Sequence, residues 1–317
     1  MPKVITIGEA LVEIMRPTAG QPLDFTGEFR GPFASGAPAI FAVAAARLGL
    51  STAFIGAVGD DAFGRLIEKR FVAEKVDSSA LQYPPGFATG VAFVAYDDSG
   101  GREFVFHIRH AACGQLASNL IPVSLFENAD WLHLSGSTIF LNENSLAACQ
   151  KAKEFILSQG GKISLDPNLR PELMPVDKAG KALVPFLAAA DLLLPTESEV
   201  QALTGESEIP RAIQALNAKP DAILALKRGP SGCSIWRDGK RLDIPGFVVE
   251  EIDPTGAGDC FSAAFIAGLE AGWSLDQTGR FANAAGALAV TQLGPMEGAP
   301  NRHEVEKLLS SEKIKRE

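Results

Sequence analysis

The sequence predicts an α/β protein: a mostly parallel central sheet between two layers of helices, with a smaller β-sheet lid standing off it. Three observations carry this. Short apolar β-rich runs recur along the chain, segments rich in Ala, Leu and Glu separate them, and one stretch breaks the alternation with two β-rich runs joined by a turn. Runs that stay apolar along their whole length suit strands buried on both faces, the pattern of a parallel sheet covered on each side.

The elements follow in order. Val4 to Ile7 reads as the first strand, ending at Gly8, and the Glu9 to Phe33 stretch holds too many prolines and glycines for a long helix. Ala39 to Leu48 reads as a helix and Thr52 to Ile55 as a strand. Gly90 to Tyr96 and Arg102 to Ile108, joined by Asp97, Asp98, Ser99, Gly100 and Gly101, read as an antiparallel hairpin. With the Glu9 to Phe33 stretch this hairpin forms a small second sheet that covers a site or pairs with another subunit; the plainer alternative is an ordinary surface hairpin. Strands follow at Trp131 to Leu134, Lys162 to Leu165, Asp191 to Leu194 and Ala222 to Ala225. Helices fall at Asn144 to Gln159, Ser198 to Leu203 and Phe261 to Ala271, and Gly49, Gly160, Gly205 and Gly272 mark helix ends. The charged tail from Glu304 to Glu317 reads as a solvated terminal helix. One domain over residues 1–317 results, with a discontinuous lid from about 9–33 and 90–110.

Composition bounds the function. The 317 residues are 46% hydrophobic and 21% charged, enough to bury a large core. A net charge of −9, from 29 Lys and Arg against 38 Asp and Glu, repels nucleic acid and anionic membranes, and there is no basic run to offset it. Cys113, Cys149, Cys233 and Cys260 lie far apart without a CxxC pair, which argues against a disulfide framework or a structural zinc site and for a reducing compartment. No stretch is long and apolar enough to span a membrane, no signal-peptide pattern is visible, and a cytoplasmic protein is expected.

The most informative segment is Asp253-Pro-Thr-Gly-Ala-Gly-Asp-Cys-Phe-Ser-Ala-Ala-Phe265, a small-residue turn running directly into a helix. Gly256, Ala257 and Gly258 leave their amides open to an approaching anion, and amides at a helix N-terminus point outward unpaired, so the turn suits a phosphate. Asp259 then sits in the first helical turn. It is either a helix-capping carboxylate or the group that takes the proton of a hydroxyl attacking a phosphoryl group. Neither GxGxxG after the first strand nor GxxxxGK[ST] is present, which argues against a dehydrogenase and a P-loop enzyme.

The 253–265 segment resembles, position by position, the carboxy-terminal signature of the PfkB, or ribokinase, family of carbohydrate kinases. Ser35-Gly-Ala-Pro-Ala-Ile-Phe and Gly56-Ala-Val-Gly-Asp-Asp-Ala-Phe-Gly64 resemble its amino-terminal signature, with Ser35 in place of a glycine and Ile40 in place of an asparagine that contacts sugar. The resemblance implies a ribokinase-like three-layer fold, transfer of phosphate from ATP with magnesium to a sugar or nucleoside hydroxyl, and a homodimer through the β lid. It implies Asp259 as general base, with Gly256, Ala257, Gly258 and Arg170 steadying the phosphoryl group; a surface salt bridge is the alternative for Arg170. On the sugar side it implies Glu9, Glu13, Ser35 and Gly36, with His107 and Arg109 sharing one face of the hairpin strand. On the nucleotide side it implies Thr196, Glu199, Lys227, Gly229, Gly232 and Asn283, with Glu199 ordering magnesium through water. A solvated helix-start Glu199 and a water-facing Asn283 are the alternatives. Some relatives bind potassium near the Asp253 to Thr255 turn. Asp166-Pro-Asn-Leu-Arg-Pro171 is similar to fructokinases and 2-keto-3-deoxygluconate kinases, whereas Ser35, Ile40 and the 108–114 segment are closer to tagatose kinases. The expected substrate is a ketose or keto sugar acid; a nucleoside kinase and a catalytically silent sugar sensor are the alternatives.

Overall fold

The computed structural model describes residues 1–98, 101–216 and 218–314. β1 (Val4–Ile7), β2 (Leu11–Met15) and β3 (Arg30–Ser35) precede helix α1 (Ala37–Arg47). β4 (Thr52–Ala57), α2 (Ala62–Ala73) and β5 (Asp77–Gln82) lead to β6 (Gly90–Tyr96) and β7 (Arg102–His107). Then come β8 (Trp131–Ser135), the short α3 (Gly136–Ile139), α4 (Glu143–Ser158), β9 (Lys162–Asp166) and α5 (Val176–Leu187). β10 (Leu192–Leu193), α6 (Glu197–Thr204), α7 (Ile209–Ala215), β11 (Ile223–Lys227), β12 (Cys233–Arg237) and β13 (Lys240–Ile244) follow. The last helices are α8 (Ala257–Glu270), α9 (Leu275–Ala289) and α10 (Arg302–Ile314).

The large sheet has the order β13-β12-β11-β10-β9-β8-β1-β4-β5, parallel from β11 to β5, with β12 and β13 turned antiparallel at one edge. Every residue of β1, β4 and β8 is buried, because helices cover both faces. One face packs on α1, α8 and α9 through Phe41, Phe265 and Phe281, and the other on α4 and α5 through Ile156 and Phe186. Helix α8 is buried from Asp259 to Gly268. Its small residues allow this, since Ala263, Ala264 and Ala267 let flanking helices approach closely.

The second sheet, in the order β3-β2-β6-β7, stands apart from the first. β2 pairs parallel with β6 and antiparallel with β3, so the proline-rich stretch and the hairpin do form one small sheet. The hairpin joint at Ser99 and Gly100 lies outside the described residues. The terminal helix differs from expectation: α10 begins at Arg302 and buries Val305 against the α8–α9 layer, so one face of it belongs to the core, and residues 315–317 lie outside the description. Among the described residues no helix is long and apolar enough to cross a membrane.

Candidate active site

The site forms where parallel strands end. Glu9 follows β1, Ser137 follows β8, Asp166 closes β9 with Arg170 just beyond it, and Lys227 closes β11. Ligands of open α/β sheets bind at these carboxyl ends. The N-terminus of α8 points into the same region and separates two cavities. One, about 350 Å³, is lined by Lys227, Gly229, Gly232, Ala257, Gly258 and Asn283. The other, about 80 Å³, is narrower and more polar, with Glu9, Glu13, Ser35, Arg170, Gly256 and Asp259 in its wall.

Gly256 is the N-cap of α8 with φ 84°, and a Cβ there would lie 2.4 Å from the Pro295 carbonyl oxygen. Only glycine takes this shape without strain. No side chain caps α8; the Ala257 amide donates to Pro254 O at 3.4 Å, the Gly258 and Asp259 amides have no partner among the described residues, and Asp259 is not a helix cap. Asp259 is 8% exposed, and among the described residues nothing donates a hydrogen bond to its carboxylate. Burial, reinforced by the negative charge of Asp166, pushes it up to about 8, against the pull of Lys227 and Arg170.

Beneath α8, Lys227 Nζ donates to Asp166 Oδ2 at 2.5 Å, and Ser262 Oγ, on α8, donates to the same oxygen at 3.4 Å. Burial opposes the Lys227 charge, yet the carboxylates of Asp166, Glu199 and Asp259 outweigh it and hold the ammonium above its ordinary value. Arg170 donates to its neighbour Leu169 O at 3.0 Å and pairs with no carboxylate among the described residues, so it is not a surface salt bridge. Its guanidinium faces the narrow cavity with Asp259.

In that cavity Glu9 is fully committed. Oε1 accepts from Ser137 Oγ at 2.6 Å and Oε2 from Thr138 Oγ1 at 2.5 Å, while burial pushes the carboxyl up. Glu13 is not. Its Oε2 accepts from Ser35 Oγ at 3.1 Å, but its buried Oε1 has no partner, and burial together with Asp253 raises the group to about 7. Gly36 caps α1 at φ 107°, where a Cβ would sit 2.4 Å from the Glu9 carbonyl oxygen. Ile40 lines the same wall as a buried apolar surface.

The hairpin corrects two expectations. Arg102, Phe104, Phe106 and Ile108 line the cavity, so the even positions face inward. His107 therefore faces out, exposed and edge-on to Phe93 at 6.3 Å between ring centroids. Arg109 lies beyond the end of β7 and is not itself in the cavity wall; its guanidinium donates to the carbonyl of Leu173, a residue of that wall.

Of the residues expected on the nucleotide side, Asn283 stands in the wall of the 350 Å³ cavity and Thr196 does not. Thr196 is the N-cap of α6, and it and Glu199 form a reciprocal capping box; neither lines the 350 Å³ cavity. Glu199 Oε2 accepts from Thr196 N at 2.7 Å and Thr196 Oγ1 at 2.9 Å, and Oε1 accepts from Leu169 N at 2.8 Å, which ties this turn to the Arg170 loop. Asn283 is buried rather than water-facing, donating to Ile244 O at 3.2 Å and Pro245 O at 3.0 Å. Sequence reasoning missed Asp166, Ser137 and Arg102 as wall or support groups, although an acid closing a parallel strand was a usable signal for Asp166.

Comparison with known proteins agrees with this geometry. The model of the pfkB family carbohydrate kinases matches residues 1–302. A fructokinase of Escherichia coli is 33% identical over 312 residues, covering 96% of this chain and 98% of its own, and fructokinase-1 of Oryza sativa is 32% identical over 318 residues, covering 97% and 98%. An E. coli protein described as a ribokinase II, solved with ATP and magnesium, superposes with a TM-score of 0.91 at 39% identity, covering 98% of this chain and all of that one. A Vibrio cholerae fructokinase solved with fructose, ADP and calcium gives 0.86 at 30% identity, covering 98% and 99%. With two cavities meeting at the amide turn before α8 and near-complete coverage by these relatives, the chain belongs to the pfkB family of carbohydrate kinases.

Proposed function

We propose that the protein transfers the γ-phosphoryl group of ATP to a hydroxyl of a ketose or keto sugar acid, with Asp259 as general base. One observation carries this reading: the N-terminus of α8 stands between a nucleotide-sized cavity, faced by Ala257 and Gly258, and a polar cavity faced by Asp259. The sugar oxygen attacks the γ-phosphorus as its proton passes to the Asp259 carboxylate, the bond to the bridging oxygen breaks, and ADP leaves. Amides at the 256–258 turn and the Arg170 guanidinium stabilise the charge on the transferring group. Lys227, Gly229 and Gly232 bound the phosphate side of the nucleotide cavity, and Asn283 its inner wall. Glu199, with three hydrogen bonds already made, would hold a magnesium ion only through water, and the ion would supply further charge neutralisation.

Glu13 Oε1, buried and unpartnered, suits a sugar hydroxyl donor, and Ser35 orients that carboxylate. The fructokinase relatives support a ketose. Arg170 and Arg102 line the cavity while the Arg109 guanidinium is tied to the Leu173 carbonyl, so the sugar-acid alternative rests on Arg170 and Arg102. The outer face of the small sheet exposes Phe29, Val105 and His107, which supports a homodimer through that sheet; a monomer in light scattering at micromolar concentration would refute it. The functional test is coupled ADP release with ATP and magnesium on fructose, tagatose, 2-keto-3-deoxygluconate, ribose and adenosine. Turnover of a ketose or the keto acid is expected; turnover of adenosine alone, or none, overturns the reading.

A further inference from the structure

Tyr96 ends β6 on the cavity side of the hairpin, directly across from Arg102. Its hydroxyl donates to Asp253 Oδ1 at 2.6 Å and lies 3.0 Å from Thr255 Oγ1. The same Asp253 Oδ1 accepts the Thr255 amide at 2.9 Å, and Oδ2 accepts the Gly294 amide at 2.8 Å. Asp253 is fully buried, and Pro295, next to Gly294, packs its carbonyl against Gly256. One carboxylate therefore joins the hairpin to the two backbone segments that shape the phosphate-binding turn. An anchor for the hairpin alone would need only a surface contact; here the hydroxyl is spent on the residue that holds the Thr255 amide.

We propose that Tyr96 is a positioning residue that couples the small sheet, which walls the narrow cavity, to the shape of the 253–258 turn. Asp253 Oδ1 receives both donors, the Tyr96 hydroxyl and the Thr255 amide, so one carboxylate oxygen holds the seat of the hairpin and the shape of the turn. The proposal rests on the kinase reading for its catalytic consequence but not for the coupling itself. Tyr96 is in the wall of neither cavity; it acts through Asp253.

Two measurements on Tyr96→Phe test it. Hydrogen exchange of the unliganded protein should show several-fold faster exchange in peptides covering residues 250–260 and no change in β8; equal protection in the turn overturns the coupling whether or not any sugar is a substrate. Steady-state kinetics on whichever panel sugar the wild type uses should show kcat reduced at least tenfold with the KM for ATP within about twofold, since the nucleotide cavity does not include Tyr96. Loss confined to thermal stability, with kcat unchanged, assigns Tyr96 a structural role and refutes the proposal. If the wild type phosphorylates nothing, the kinase reading fails while the exchange experiment still decides the coupling.

Discussion

Asp259→Asn separates what the protein gains from this carboxylate and what it costs. The unfolded chain ionises the group near 3.8, whereas the folded protein holds it to about 8, with burial the main cause and Asp166 the second. A raised carboxyl pKa makes folding take up a proton. The stabilising effect of the protonated form is complete below 3.8 and is lost as pH rises toward 8. At pH 7 the gap between 3.8 and 7 is about 3 units, and at 1.36 kcal/mol per unit the wild type is less stable than a neutral isostere by about 4 kcal/mol. Asparagine keeps the shape and removes the titration. Denaturant melts of both proteins from pH 5 to pH 8 should show the variant more stable, with the difference growing by about 1.4 kcal/mol per pH unit. Turnover should fall ~10²-fold or more, as for loss of a positioned base. In the wild type, kcat/KM should rise with pH up to about 8, because the base acts ionised. An inactive variant whose stability tracks the wild type across that range would refute the burial argument, meaning that Lys227 and Arg170 satisfy the charge. A stabilised variant retaining turnover within tenfold would refute the base assignment.

Glu13→Gln should raise the sugar KM about tenfold or more, the worth of a hydrogen bond to a charged acceptor. It should also abolish the fall in KM expected of the wild type as pH rises through about 7, the pKa of Glu13; a KM that ignores pH in the wild type refutes this. Gly256→Ala places a Cβ against the Pro295 carbonyl at a positive φ, so it should cost about 1–3 kcal/mol in urea melts and at least tenfold in kcat; near-wild-type values would show that the turn relaxes freely. Arg170→Ala should cut kcat by more than tenfold with little change in Tm, since no ion pair is lost; a large drop in Tm would mark the arginine as structural.

Much of this fold was legible because the physics that builds a covered parallel sheet leaves a one-dimensional trace: β1, β4 and β8 are mostly apolar and carry no charged residue, since both their faces are buried. The turn before α8 was legible for a related reason, as only small residues leave amides open at a helix start. Residues whose role depends on which way a side chain turns were not. Alternation along β7 fixed that His107 and Phe106 face opposite sides, but not which side holds the cavity; that is set by the pairing of Ala92 with Phe106, a contact between distant parts of the chain. Arg109 was placed by extending the alternation past the point where the strand ends. Thr196 and Glu199 show the opposite case. A Thr-x-x-Glu spacing is by itself a capping box, and the local hydrogen bonds claimed these side chains. Where a local rule already accounts for a polar pair, that account comes before any ligand. Asp259 meets the converse condition: its position suited a cap, the cap is absent, and burying the carboxylate costs stability, so its presence there points to chemistry.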